Sequence, residues 1–142
     1  IIGDLSVFAP EIQNLAEKTQ QLLQNNTGLN LVIAANYGGQ WDIVEAAKQI
    51  AAKAVNGEIE PESIDKNVFG GYTALAQYPR VDLLIRTSGE VRISNFLLWD
   101  IAYSELYFCD TLWPDFDANE LDLAINSFHS RDRRFGERNN AN

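Results

Sequence analysis

Short apolar runs that stop abruptly at turn residues, each followed by a helical pattern, constrain this fold most. Leu29–Ala35, "LNLVIAA", and Val81–Ile85, "VDLLI", are too brief and too rich in β-branched residues for helices. Short, mostly apolar runs of that length read as buried strands, as parallel strands are. The first run follows a helical stretch, Pro10–Gln24, with Ile12, Leu15, Ala16, Thr19, Leu22 and Leu23 on one side and Pro10 suited to its first turn. "NNTG" at 25–28 separates the two. After "NYGG" at 36–39 a second helix is predicted from Ile43, Val44, Ala47, Ile50, Ala51 and Ala54.

"NGEIEPESID" then opens a short helix near Pro61, and residues 68–80 are ambiguous. Beyond Val81–Ile85 the pattern predicts a helix over Ser94–Tyr103 and an extended segment in "ELYFCDTLW". A last helix is capped by Asp117, runs to about Phe135 and is closed by Gly136. This alternation predicts an α/β fold, a mostly parallel central sheet covered by helices, in one domain spanning residues 1–142. "IIGDLSVF" reads as a strand already in progress, so the expectation is a chain whose N-terminal part is missing.

Ligands of such sheets bind beyond the carboxyl ends of the strands. Two unusual loops follow predicted strands, "NYGG" and "RTSGEVR", and both are expected to open on one rim. In the second, Arg86 and Arg92 present planar paired donors that match phosphate oxygens. Ser94 and Asn95 are helix N-cap types, and Gly89 lets the backbone approach a ligand. The set can hold one or two phosphates. The same residues also suit a plainer arrangement, arginines ion-paired to Glu90 and neighbours with Ser94 only capping. "NYGG" is weaker: the glycines suit a tight turn, Asp42 the start of a helix, and Trp41 packing, while Asn36 would point at the same rim as Arg86.

A formal net charge of −9 repels a nucleic-acid backbone, so no nucleic acid is expected as partner. The arginines are concentrated late, at 80, 86, 92, 131, 133, 134 and 138. Cys109 is the single cysteine and reads as a small buried hydrophobe of a reducing compartment; with no leader pattern and no long apolar run, a cytoplasmic location is expected. Glu105 is an acid that can hold a divalent cation beside a diphosphate. A continuous helix from Ser94 would carry it about 16 Å along, so either the chain folds back or Glu105 serves another place. His129 reads as an ordinary helix residue.

"NYGGQWDI", "DLLIRTSGEVRISNFLLWDIAYSELYF", "LWPDFD" and "RDRRFG" resemble, in order and spacing, the cis-prenyltransferases. The resemblance covers essentially the whole chain. It implies a magnesium-dependent enzyme that condenses isopentenyl diphosphate with an allylic diphosphate, commonly farnesyl diphosphate, into a long cis-polyprenyl diphosphate lipid carrier. It implies that Arg86, Arg92 and Ser94 hold the diphosphate of isopentenyl diphosphate, with Asn36 as a further substrate contact and Glu105 as the magnesium-associated acid. A homodimer, with an interface around Glu105–Trp113 and the terminal arginines, is implied too, as is peripheral membrane contact through the lipid product. The family's D-G-N-G-R-W motif, which carries its catalytic aspartate, is absent from these residues, and Val91 stands where some relatives have His. The resemblance therefore implies half a site, with no catalytic residue in this chain. A non-catalytic diphosphate-binding subunit of a prenyltransferase complex is the alternative.

Overall fold

A computed structural model describes residues 1–131. The chain falls into two compact units: residues 1–79 with Asn95–Trp99, and residues from Arg80 to Ser94 with those from Asp100 onward.

In the first unit, α1 spans Pro10–Leu23, α2 Gly39–Val55 and α3 Lys66–Gly70, with single 3-10 turns at Leu5–Val7 and Pro61–Ser63. Pro10 sits at the start of α1, where its missing N–H costs nothing, and Ala16 is buried. Much of the apolar face predicted for α1 is nevertheless exposed, Ile12, Leu15, Leu22 and Leu23 included. α2 buries Gly39, Asp42, Ala46 and Ile50, a stripe of helical spacing. Asp65 caps α3, its carboxylate accepting from the N–H groups of Asn67 and Val68 at 2.8 Å each.

The predicted strand at 29–35 is corrected here. Its pairing reduces to one parallel bridge, Ile2 with Ala34, made by Ile2 N–H to Ile33 O and Ala35 N–H to Ile2 O, both 2.9 Å. Leu29, Leu31 and Ile33 are 96%, 77% and 51% exposed. A strand is defined by its neighbours, and the described residues offer this run only residue 2 to pair with.

The second unit carries β1, Leu83–Arg86, and β2, Glu105–Phe108, paired in parallel with Leu83 opposite Glu105 and Arg86 opposite Phe108. A 3-10 turn at Trp113–Asp115 leads to α4, Ala118–His129, which packs on β2. Asp117 caps it as predicted, accepting from Asn119 and Glu120 N–H at 2.9 and 3.1 Å. α4 ends at His129 with Ser130 as its C-cap, earlier than the sequence suggested; Phe135, Gly136 and the arginines at 133, 134 and 138 lie outside the described residues. The fold is α/β with parallel strand pairing.

The helix predicted over Ser94–Tyr103 does not form. Ser94 and Leu97 have left-handed backbones, φ +50° and +46°, which no helix accommodates, and the segment is a run of tight turns. Instead Asn95–Trp99 packs as part of the first unit. Asn95 takes Gly39 N–H on its carbonyl at 2.7 Å and Gln40 N–H on its Oδ1 at 2.8 Å, capping α2 from 55 residues away. Phe96 meets the Tyr37 ring edge-on at 5.9 Å, and Trp99 lies 4.5 Å from Phe69. Gly39 makes this approach possible, because a Cβ there would lie 2.7 Å from Leu98 Cγ and 2.9 Å from its backbone N. Gly39→Ala should therefore destabilise the protein by about 1–3 kcal/mol in denaturant unfolding. An unchanged midpoint would show that segment 95–99 does not sit this close to α2.

Acid should loosen α3 specifically. The Val68 N–H, with Asn67, holds the Asp65 carboxyl below its usual range. The stability this gives is present above the ordinary aspartate pKa and is lost as pH falls through the lowered value. Hydrogen exchange at Asn67 and Val68 should speed up selectively in that window, and Asp65→Asn should remove the pH dependence.

Candidate diphosphate site

Arg86 closes β1, and the nine residues from it to Ser94 form a loop with a fixed backbone. Ser88 and Gly89 both have φ +69°, the left-handed pair that reverses a chain in two residues. Ser88 N–H donates to Thr111 O at 2.8 Å and Gly89 N–H to Cys109 O at 2.9 Å, so the turn is pinned to the segment following β2. Cys109 N–H donates to Arg86 O at 3.0 Å, carrying the parallel ladder to the rim.

Within this loop the structure brings the Arg86 guanidinium to Ser94 and to the main chain of Arg92. The Arg86 Nη1 donates to Arg92 O at 2.5 Å and to Ser94 Oγ at 3.2 Å. Arg92 is ion-paired to Glu90. One arginine thus pairs with Glu90, as the plainer arrangement expects, while the other draws the loop around neutral oxygens. Ser94 caps no helix of its own, so the partial positive charge expected from a helix start at Ser94 is absent. Within the loop the positive charge is that of the Arg86 and Arg92 guanidiniums.

Glu105 is placed differently from Arg86. The chain does fold back, removing the helix that would have carried Glu105 away. Yet Glu105 opens β2 opposite Leu83, three positions from the pair Arg86–Phe108, about 10 Å along the sheet. Its carboxylate accepts from Arg131 Nη1 at 2.9 Å, and the same nitrogen donates to Leu106 O at 3.1 Å. Among the described residues no group of three or more His, Cys, Asp or Glu can hold a metal ion. The donor set therefore does not make a protein cage. A hard cation would find a single protein carboxylate here, one already ion-paired to Arg131.

Asn36 belongs to the first unit, where its amide Nδ2 donates to Asp4 O at 3.1 Å and its carbonyl accepts from Asp4 N–H at 3.3 Å. Its φ of +47° is one that Asn tolerates better than most residues. Trp41 packs edge-on against Tyr37 at 6.2 Å, and His129 against Phe128 at 5.5 Å, both as packing residues.

Two roles were missed from sequence. Asn95 looked like a cap for its own helix and caps α2. Asp42 looked like a first-turn acid and is a buried anchor, 4% exposed, accepting from Tyr37 OH at 2.7 Å and Ala74 N–H at 2.8 Å. The Gly38-Gly39 pair just before Asp42 was the available signal, since it marks a helix start that another segment approaches closely.

Over residues 1–136 the chain matches the prenyltransferase family model described as "Putative undecaprenyl diphosphate synthase". It is 52% identical over 136 residues to the ditrans,polycis-undecaprenyl-diphosphate synthase ((2E,6E)-farnesyl-diphosphate specific) of Escherichia coli K12, covering 96% of this chain and 54% of that protein.

The chain belongs to the undecaprenyl diphosphate synthase family of prenyltransferases.

Solved structures agree. The lavandulyl diphosphate synthase of Lavandula x intermedia, crystallised with dimethylallyl diphosphate, superimposes with a TM-score of 0.91 at 41% identity, covering 96% of this chain and 58% of that one. A probable undecaprenyl diphosphate synthase from Campylobacter jejuni gives 0.83 at 29% identity, covering 96% and 61%. This member of the family spans about half the length of the curated relatives it matches. No helix among its described residues is long and apolar enough to cross a membrane.

Proposed function

We propose that this chain carries the isopentenyl diphosphate half of a prenyltransferase site, in which isopentenyl diphosphate condenses with an allylic diphosphate to build a cis-polyprenyl diphosphate lipid carrier. The observation that carries the proposal is the pinned loop from Arg86 to Ser94, on which the Arg86 guanidinium meets the Ser94 hydroxyl and the main-chain carbonyl of Arg92, while the Arg92 guanidinium meets Glu90. Such paired planar donors match the oxygens of a diphosphate, and Ser94 adds a hydroxyl donor. Left-handed backbones at Ser88 and Ser94 support the same reading, because strain of this kind collects at ligand-binding loops. Farnesyl diphosphate is the proposed allylic partner, as the name of the Escherichia coli relative suggests.

The loop's task is to hold the isopentenyl diphosphate so that its double bond faces the allylic carbon, which converts an encounter into a positioned reaction. Magnesium is the proposed cofactor and would neutralise diphosphate charge when bound. Glu105 is the residue proposed to meet it, at the expense of its ion pair with Arg131. Asn36 is proposed as a substrate contact of the first unit, in competition with its bond to Asp4. No catalytic residue is assigned to this chain, since the motif bearing the family aspartate is not among its residues. A cytoplasmic location is proposed, with peripheral membrane contact through the lipid product. A homodimer is proposed to form through Glu105–Trp113, where Leu112 and Trp113 are exposed and the Trp113 and Phe116 rings stack at 6.1 Å.

The test joins this chain to the part of the Escherichia coli relative that the match leaves out. It then follows labelled isopentenyl diphosphate into lipid-extractable product, with farnesyl diphosphate and a magnesium titration. The chimera should incorporate label and the 142-residue chain alone should not. Glu105→Gln should raise the magnesium needed for half-maximal turnover by about tenfold, the loss of one charge-assisted ligand. An inactive but folded chimera would contradict the proposal, and an unchanged magnesium titration would remove Glu105 from the metal.

A further inference from the structure

The two arginines of the loop are not equivalent. Among the described residues Arg86 makes no ion pair: its guanidinium donates to a backbone carbonyl and a hydroxyl, both neutral. Arg92 meets a carboxylate, that of Glu90, two positions before it on the same loop. The turn sets the two residues close together on the loop. With Ser88 and Gly89 left-handed and pinned to Thr111 and Cys109, Glu90 is the first residue leaving the reversal. Both partners are substantially open to water, 61% for the Arg92 side chain and 39% for that of Glu90.

We propose that Glu90 is an internal anion of the diphosphate site, whose carboxylate stands in for phosphate oxygens on Arg92 and is displaced when a diphosphate enters. The inference rests on the diphosphate reading of the loop and adds a residue that sets its threshold. An open ion pair is weak, so displacement is easy, yet it lowers the affinity of every entering anion. Glu90 also keeps the guanidinium of Arg92 on the loop, so the residue that weakens binding also prepares the arginine for it. A ligand with several anionic oxygens recovers the lost pairing from both arginines, whereas a small monovalent anion does not.

Calorimetric titration of the protein with inorganic pyrophosphate at constant ionic strength tests this. Glu90→Gln should bind pyrophosphate about two- to fivefold more tightly than the unaltered protein, the size of an exposed ion pair. In an Arg92→Gln background the same replacement should gain nothing, because the pairing is already gone. Three results would overturn the inference, and they are distinguishable. If the unaltered protein binds pyrophosphate and Glu90→Gln binds it no better, Glu90 is no competitor and the diphosphate reading stands. If the gain survives in the Arg92→Gln background, it is general charge repulsion and not displacement. If neither the unaltered protein nor Glu90→Gln binds pyrophosphate, the diphosphate reading itself fails and the inference with it.

Discussion

Arg86→Ala should weaken binding of isopentenyl diphosphate by about 10- to 100-fold while leaving the protein folded. Arg86 is the residue at which strand and loop meet, since its backbone closes the ladder at Cys109 and its guanidinium reaches Arg92 O and Ser94 Oγ. Hydrogen bonds to a charged partner contribute about 1.5–3 kcal/mol, and each 1.4 kcal/mol is a factor of ten in affinity. The structural loss is smaller, because the backbone ladder remains and the two oxygens given up are accessible to water. Arg86→Lys should recover only part of the affinity, since an ammonium keeps the charge but not the planar fork. Calorimetry with isopentenyl diphosphate reads the effect, and a thermal melt of each variant controls for folding. Unchanged affinity in a folded Arg86→Ala protein would take Arg86 out of the site.

Asp42→Ala should be the most destabilising of the single replacements considered, by about 2–4 kcal/mol. The carboxylate is almost fully buried at the start of α2 and ties the Tyr37 hydroxyl and the Ala74 N–H to the helix. Alanine leaves the Ala74 N–H without this acceptor in a partly buried place, and it deprives the first turn of an acid. For a chain of this size the melting temperature should fall by roughly 10 °C. Asp42→Asn should recover about half of the loss, because its side-chain carbonyl can still accept from Ala74. A fall of under 2 °C in Asp42→Ala would mean that this network carries little of the first unit's stability.

Elements were legible where the local signal was strong enough by itself, as in α1, whose apolar face is largely exposed. Pro10 and the spacing of Ile12, Leu15 and Ala16 announced α1, Asp117 announced α4, and the brevity of "VDLLI" announced β1. The family followed from extended motifs, "RTSGEVRISNFLLW" above all, whose specificity no periodicity has.

Two readings failed for a common reason: each depended on partners elsewhere in the chain. "LNLVIAA" has the composition of a buried strand, but a strand exists only where another backbone receives its hydrogen bonds, and here a single bridge does. "SNFLLWDIAY" has apolar residues at helical spacing, yet Asn95, Phe96, Leu98 and Trp99 are held by α2, Tyr37, Gly39 and Phe69. Those contacts override a modest helix propensity and hold Ser94 and Leu97 in left-handed conformations. The site suffered less, because residues 86–94 are contiguous and the loop brings its own members together. Glu105 was hardest to place, since only the register of β2 against β1 locates it.

Whether the loop from Arg86 to Ser94 receives the diphosphate of isopentenyl diphosphate can be read from amide chemical shifts of the labelled 142-residue chain. On titration with isopentenyl diphosphate, the N–H signals of residues 86–94 should move first and furthest. The unphosphorylated alcohol should leave them in place, and pyrophosphate should reproduce the pattern. Shifts confined to other segments, or the same shifts from the alcohol, would mean that the loop does not bind the diphosphate.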